Sequence, residues 1–325
     1  MKRGNGLRLT AVLLTLAALL AGCMSGGTGE DWTPSEDVPK IPEKLEKSES
    51  AGMPTLSVYN VKDKSTSEMD VETYVMGVVA GEMKNDWPLE ALKAQAILAR
   101  TFTLKFCQDK SSKYEGADIS TDVTEAQAYA AGDVNERVRQ AVNATRGQAM
   151  AYHGEYPYAW FHAHSGGMTE LPSAALDYEK GDPEYLKPVR SRESGKAPDD
   201  VKRWTATFTK PQVLKACADT GVKLDRLESI EVGEKGASGR ARTLLVNGKS
   251  VSAPSFRLQI GANRLKSALI EAIEIEGDQV TFKGRGFGHG VGMSQWGAYA
   301  MAESGKTAED IIHHYFSDVN IVKLW

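Results

Sequence analysis

Five glycines at every second position, Gly284, Gly286, Gly288, Gly290 and Gly292, interleaved with Arg285, Phe287, His289 and Val291, constrain this chain more than any other feature. No helix tolerates such a run, since each interior glycine costs about 1 kcal/mol relative to alanine. A dinucleotide-binding G-x-G-x-x-G fails in every register, with His, Val, Met or Gln at the third glycine, which disfavours phosphate cradling. In an extended segment, alternate glycines leave one face without side chains. Two uses fit. A polymer lies against the bare backbone while His289, Ser294, Gln295 and Trp296 supply hydrogen bonds and a flat apolar plate, or the segment is a tightly packed strand beneath a helix.

The N-terminus reads as an address. Lys2, Arg3 and Arg8 precede the apolar run from Ala11 to Leu20, the pattern of an export signal and too short for a membrane span of about 20 residues. Leu20-Ala21-Gly22-Cys23 comes next and resembles the lipobox of bacterial lipoproteins, in which cleavage makes the acylated cysteine residue one. Multiple acyl chains at Cys23 would anchor the chain firmly, where a single chain holds only marginally. The expected product is an exported, membrane-anchored lipoprotein of the bacterial cell envelope. Removing residues 1–22 takes the formal charge from -4 to -7, which argues against nucleic acid as a partner. Residues 23–52 carry Pro34, Pro39 and Pro42, many charges and little that is apolar, and read as a flexible acidic tether. The folded body is then 53–325, with 178–282 a candidate inserted sub-domain. Cys107 and Cys217 are too few for a disulfide framework, so they either pair or stay as two buried thiols.

Within the body, Leu56 to Tyr59 reads as a strand. Val71, Tyr74, Val75, Val78 and Glu82 form one helical stripe with Asp70 as N-cap. A second helix begins after Pro88 and runs to Phe106, a third covers Val134 to Thr145, and Gln148 to Phe161 reads as a hairpin turning at His153-Gly154-Glu155. Residues 178–203 read as a surface connection, Asn247-Gly248 as a hairpin turn, Ser255 to Ile270 as a helix, Ala272 to Phe282 as a strand, and Ala308 to Phe316 as a helix opened by Thr307 and Asp310. Helices and strands mix without βαβ alternation, so the class is α+β, with small antiparallel sheets forming a substrate groove.

Three segments carry candidate chemistry. Glu82 ends an otherwise apolar stripe, so it is either a desolvated carboxylate with a raised pKa, suited to general acid work, or a side chain fraying into solvent past Gly81. His162 and His164 would share one face of a strand, beside Ser165 and Gly166-Gly167. Two histidines fall short of a zinc site, and a third ligand such as His289 would have to join them, so satisfied or substrate-binding histidines are the better reading and no cofactor is expected. The third segment is Gly284 to Tyr299.

These residues resemble the stage II sporulation protein D / LytB family of bacterial cell-wall proteins from about Leu56 to Trp325. The resemblance runs through Val71-Glu72-Thr73-Tyr74-Val75, Val78 to Met83, Leu89 to Ala96 with Ala99-Arg100-Thr101, Thr145-Arg146-Gly147, Phe161 to Gly167 and Gly284 to Tyr299. It implies a lytic transglycosylase acting on peptidoglycan glycan strands, preferably denuded of stem peptides, with Glu82 matching the catalytic acid. Lys93, Gln95, Arg100, His162, Ser165, His289, Ser294, Gln295 and Trp296 would then grip the sugars. The alternative implied by LytB-type relatives is a glycan-binding enhancer of a cell-wall amidase that does not cut. The resemblance also departs from the family. Sporulation members usually carry an N-terminal transmembrane helix where this chain has a lipobox, and some members bind zinc with a cysteine near the His-rich segment, which is missing here.

Overall fold

The computed structural model describes residues 37–46 and 52–325; the expected export signal, the expected lipidation site Cys23 and most of the expected tether lie outside the described residues. The described part of that tether is docked. Helix α1 (Glu43–Glu46) sinks Leu45 fully into the main core, and Lys44 Nζ donates to the Lys110 carbonyl at 2.9 Å. Burying one leucine is worth about 2 kcal/mol, which the low apolar content of the segment concealed.

The main body begins with an antiparallel hairpin of β1 (Thr55–Asn60) and β2 (Ser65–Asp70), to which β3 (Ile119–Ser120) adds in parallel on the other side of β1. Helix α2 (Val71–Glu82) starts as expected: the Asp70 carboxylate accepts from Thr73 N–H at 2.9 Å, satisfying an amide that helix geometry orphans. Val71, Tyr74, Val75, Val78 and Val79 are all fully buried, because α3 (Leu89–Asp109) and the segment around Tyr129 both pack on α2. The next helix, α4 (Glu136–Ala144), is capped by Asn135, whose side chain accepts from Val138 N–H.

The expected hairpin over 148–161 is not formed. A tight turn does exist at His153 and Gly154, both at positive φ, and bridges Tyr152 to Glu155. Beyond it the partners are remote: β4 (Gln148–Ala151) pairs with β13 (Asn320–Lys323), and β5 (Phe161–His162) pairs in parallel with β12 (Met293–Ser294). After the short α5 (Pro172–Ala175), residues 178–203 are more than a surface connection. They bury Tyr185, Leu186 and Ala197 in the main core and end in α6 (Asp199–Lys202).

A second core, centred on Phe208, Phe256 and Phe282, is built from β6 (Arg203–Thr209), α7 (Lys210–Asp219), β7 (Ile230–Val232), β8 (Thr243–Val246), β9 (Lys249–Ser252), α8 (Ala253–Gly261), β10 (Ile270–Glu276) and β11 (Gln279–Arg285). Its sheets are ordered β10-β11-β6 and β7-β8-β9, antiparallel throughout. Asn247 and Gly248 turn the second sheet, each with the positive φ such a turn requires. The single strand expected over Ala272 to Phe282 is two, turning at Gly277-Asp278, and the helix expected to reach Ile270 stops at Gly261. The chain then returns to the main core through α9 (Gln295–Glu303) and α10 (Ala308–Tyr315), the latter opened by a Thr307/Asp310 capping box. The class is α+β, with two short parallel pairs among the antiparallel ones. Cys107 belongs to the first core and Cys217 to the second, both buried and free. Among the described residues no helix is long and apolar enough to cross a membrane.

The glycine run is neither of the two expected forms. The strand ends at Arg285, and Gly286, Gly288, Gly290 and Gly292 all have positive φ, between 68° and 102°, so the run is an irregular, closely packed segment rather than a bare-faced ribbon or a strand. A Cβ at Gly286 would lie 2.8 Å from the His164 carbonyl oxygen and one at Gly288 2.8 Å from His162 Cβ, while Gly290 and Gly292 abut Arg240 and the Trp160 carbonyl. The protein's own backbone and side chains lie where an extended run would leave space.

Candidate active site

Glu82 is the last residue of α2 and does not fray outward. Its Oε1 accepts from Ala128 N–H at 2.7 Å, and Gln295 Nε2 donates to Oε2 at 3.5 Å. Gln295 is the first residue of α9, and its Nε2 also reaches Oε1 of the fully buried Gln95 on α3 at 3.4 Å. Three helices and the loop before Ala130 thus converge on one carboxylate. Gly81 makes this approach feasible: a Cβ there would lie 2.7 Å from the Ala128 carbonyl carbon and from Tyr129 N. Along the sequence Gly81 is a point of fraying; in the fold it is where a loop touches the helix.

Burial raises the Glu82 pKa, and the hydrogen bonds from Ala128 and Gln295 only partly offset it; among the described residues no cation helps. Position adds to this, because a helix C-terminus is the negative end of the macrodipole. Gln95 Nε2, and both amide atoms of Gln127, the buried residue before Ala128, have no protein partner among the described residues. Such unmet capacity is unusual in a folded core and common at functional sites.

The other expected site residues divide. Gln95 and Gln295 join Glu82. Lys93, two positions from Gln95 and so on another face of α3, pairs with Glu90 at 2.7 Å, whose other oxygen caps α10 through Ala308 N–H. Arg100 is fully buried against Glu72 and the Gln148 carbonyl, so it builds the core and does not grip sugar. Trp296 is 7% exposed, its ring 4.4 Å from that of Trp87 and 5.2 Å from that of Tyr299, so it offers no plate. Ser165 and Ser294 turn to Glu193: Ser165 N–H donates to it at 3.0 Å, Ser165 Oγ also donates, and Ser294 Oγ lies 2.9 Å from both carboxylate oxygens.

The histidines face inward. His162 Nδ1 bonds to the Val291 carbonyl at 3.0 Å, His164 Nδ1 accepts from Gly166 N–H, and His289 Nδ1 accepts from Val291 N–H. Burial lowers all three pKa values, that of His289 to about 3 with help from Arg257 and Arg240, so they are neutral at pH 7. The carbonyl bond at Nδ1 leaves His162 Nε2 buried without a partner, and among the described residues no group of three or more His, Cys, Asp or Glu is arranged to hold a metal.

Two features escaped the sequence reading. Glu193 sits in the segment expected to be a surface connection. Arg240, fully buried, donates to the carbonyls of Met168 at 2.9 Å and Ser165 at 2.6 Å, while Glu170 accepts from Ser238 N–H and Oγ; together they latch the second core to the histidine segment. The glycines of residues 233–239 carried the one signal of this contact, since Gly236 lies against Glu170.

The site defines a protein with one desolvated carboxylic acid held by neutral amides. A family model described as Stage II sporulation protein matches residues 59–152, which include Glu82 and Gln95, and a Domain of unknown function (DUF8618) matches residues 173–292. Stage II sporulation protein D of Bacillus subtilis is 34% identical over 82% of this chain and 78% of its own length, and that of Bacillus amyloliquefaciens 32% identical over the same shares. The chain belongs to the stage II sporulation protein D family. It is also 28% identical, over 74% of its length, to a Bacillus subtilis protein named Amidase enhancer, of which it spans 39%.

Proposed function

We propose that this protein is a peptidoglycan lytic transglycosylase with Glu82 as its acid and base. The observation that carries the reading is a half-buried glutamate with a raised pKa, met by a backbone amide and a glutamine amide. A carboxyl group of this kind gives up its proton nearer neutral pH and is suited to general acid work. Glu82 protonates the glycosidic oxygen between N-acetylmuramic acid and N-acetylglucosamine. The bond from C1 to that oxygen breaks with its electron pair going to the oxygen, and the muramyl 6-hydroxyl bonds to C1 while its proton passes to the Glu82 carboxylate. A tethered hydroxyl replaces the water that hydrolytic glycosidases activate with a second carboxylate, so one suffices. Gln295, bonded to both Glu82 and Gln95, holds the carboxyl in place. Export, lipidation at Cys23, a place in the cell envelope and a preference for strands without stem peptides belong to the same proposal.

A second reading, an amidase enhancer that grips glycan without cutting, is favoured by the name of one relative. Digestion of denuded and peptide-bearing sacculi, with the fragments then weighed, separates the two. The expected products are 1,6-anhydro ends, one water lighter than hydrolytic ends, and none with Glu82→Gln. Hydrolytic ends, or no new ends from wild type, would defeat the assignment.

A further inference from the structure

The far end of α3 carries a pocket that the reaction at Glu82 does not use. It is a cavity of about 190 Å³ between the last turns of α3 and residues Tyr158 to Trp160. Tyr158 and Trp160 stack with centroids 4.9 Å apart at 18°, and Tyr178 stands edge-on to both at 5.8 and 5.4 Å. All three rings are partly exposed. Two ammonium groups lie at the rim. Lys105 is paired with Asp109 at 3.1 Å, whereas Lys110 Nζ, 4.6 Å from the Phe106 centroid, joins no ion pair among the described residues. Phe102 and Phe106 continue the Gln95 stripe of α3, about 10–17 Å further along its axis. Leu98 and Ala99 between them are fully buried, so the pocket and the Glu82 site are separate openings.

Partly exposed aromatic rings suit the C–H groups of a pyranose, with Lys105 Nζ over the Tyr158 ring at 5.3 Å, and a lysine that meets no carboxylate among the described residues suits an anion. We propose that this pocket binds a sugar ring bearing a carboxylate, the ring against Tyr158 and Trp160 and the carboxylate on Lys110. The inference rests on the glycan reading above, in which a muramyl residue without its peptide presents a lactyl carboxylate. It places a second grip on the polymer beyond the cleavage site.

The test is a titration of the full chain with N-acetylmuramic acid and with neutral N-acetylglucosamine, monitored by NMR. N-acetylmuramic acid is expected to bind more tightly and to lose affinity with salt. Lys110→Glu, at an exposed position, should weaken it about fivefold, and Tyr158→Ala about tenfold. Equal affinity for the two sugars, or binding that both substitutions leave intact, overturns the pocket. Sacculus cleavage measured beside the titration keeps the two readings apart: cleavage without such binding defeats only the pocket, and binding without cleavage defeats only the catalytic role of Glu82.

Discussion

Helix α2 carries a glutamate in its first turn and another at its last residue, and the protein treats them differently. Glu72 is 4% exposed and fully answered: Arg100 donates to its two oxygens from Nε at 3.1 Å and Nη2 at 2.5 Å, while Gly147 N–H and the Trp325 indole N–H share Oε1 at 2.9 and 3.1 Å. Glu82 meets only a backbone amide and a glutamine. The helix dipole favours a carboxylate at the first site and opposes it at the second. A buried ion pair with every oxygen satisfied ties together α2, α3 and the C-terminus but has no proton to give. The half-buried Glu82, met by no cation among the described residues, keeps a raised pKa.

The comparison breaks most sharply on activity. Glu82→Gln should lower glycan cleavage about 10²–10⁴-fold, the usual worth of a positioned acid, with an unchanged circular dichroism spectrum. Arg100→Ala tests the other end: it leaves Glu72 buried without its cation, and urea unfolding should show a loss of about 3–5 kcal/mol. If the stability loss instead tracks Glu82 and the activity loss Arg100, the roles assigned here are exchanged. Gly81→Ala should cost about 1–3 kcal/mol by forcing Ala128 off the helix, and should lower kcat more than it raises KM because the Glu82 hydrogen bond goes with it. The smallest effect is thermodynamic. Because the folded state raises the Glu82 pKa above its ordinary 4.5, the folded form holds the proton more tightly than the unfolded one, so this glutamate lowers stability increasingly as pH rises through that window. Glu82→Gln should therefore raise Tm slightly at pH 7.5 and leave it unchanged at pH 4.

Much of α2 was legible because its signals are local. Asp70 caps it, the apolar residues repeat at helical spacing, and Glu82 stands on the buried stripe. The same holds for the Thr307/Asp310 capping box and for the turns at His153-Gly154 and Asn247-Gly248, where three or four neighbouring residues carry the whole instruction. Strand partners were not legible. The turn at His153 suggests that β4 pairs with the residues just beyond that turn, yet β4 takes its partner from the C-terminus, because register depends on which distant edge is free to bond. Arg100 illustrates the same limit in the site. A cation on the helix beside Glu82 reads as a sugar ligand until the fold shows the fourth turn of α3 facing Glu72 instead.

The chain alone determined α2 with its Asp70 cap, the Thr307/Asp310 capping box of α10, the α+β class, and that position 82 puts a carboxylate at the end of an apolar face. These features arise from backbone hydrogen bonding and side-chain period within a few residues. Only the tertiary structure decided that Gln295, itself bonded to Gln95, and Ala128 N–H meet that carboxylate, that Arg100 and His162 and His164 are buried, and that the alternate glycines lie against neighbouring backbone and side chains. Desolvation and close approach are properties of the facing surface, and that surface is built from residues up to 213 positions away in the sequence.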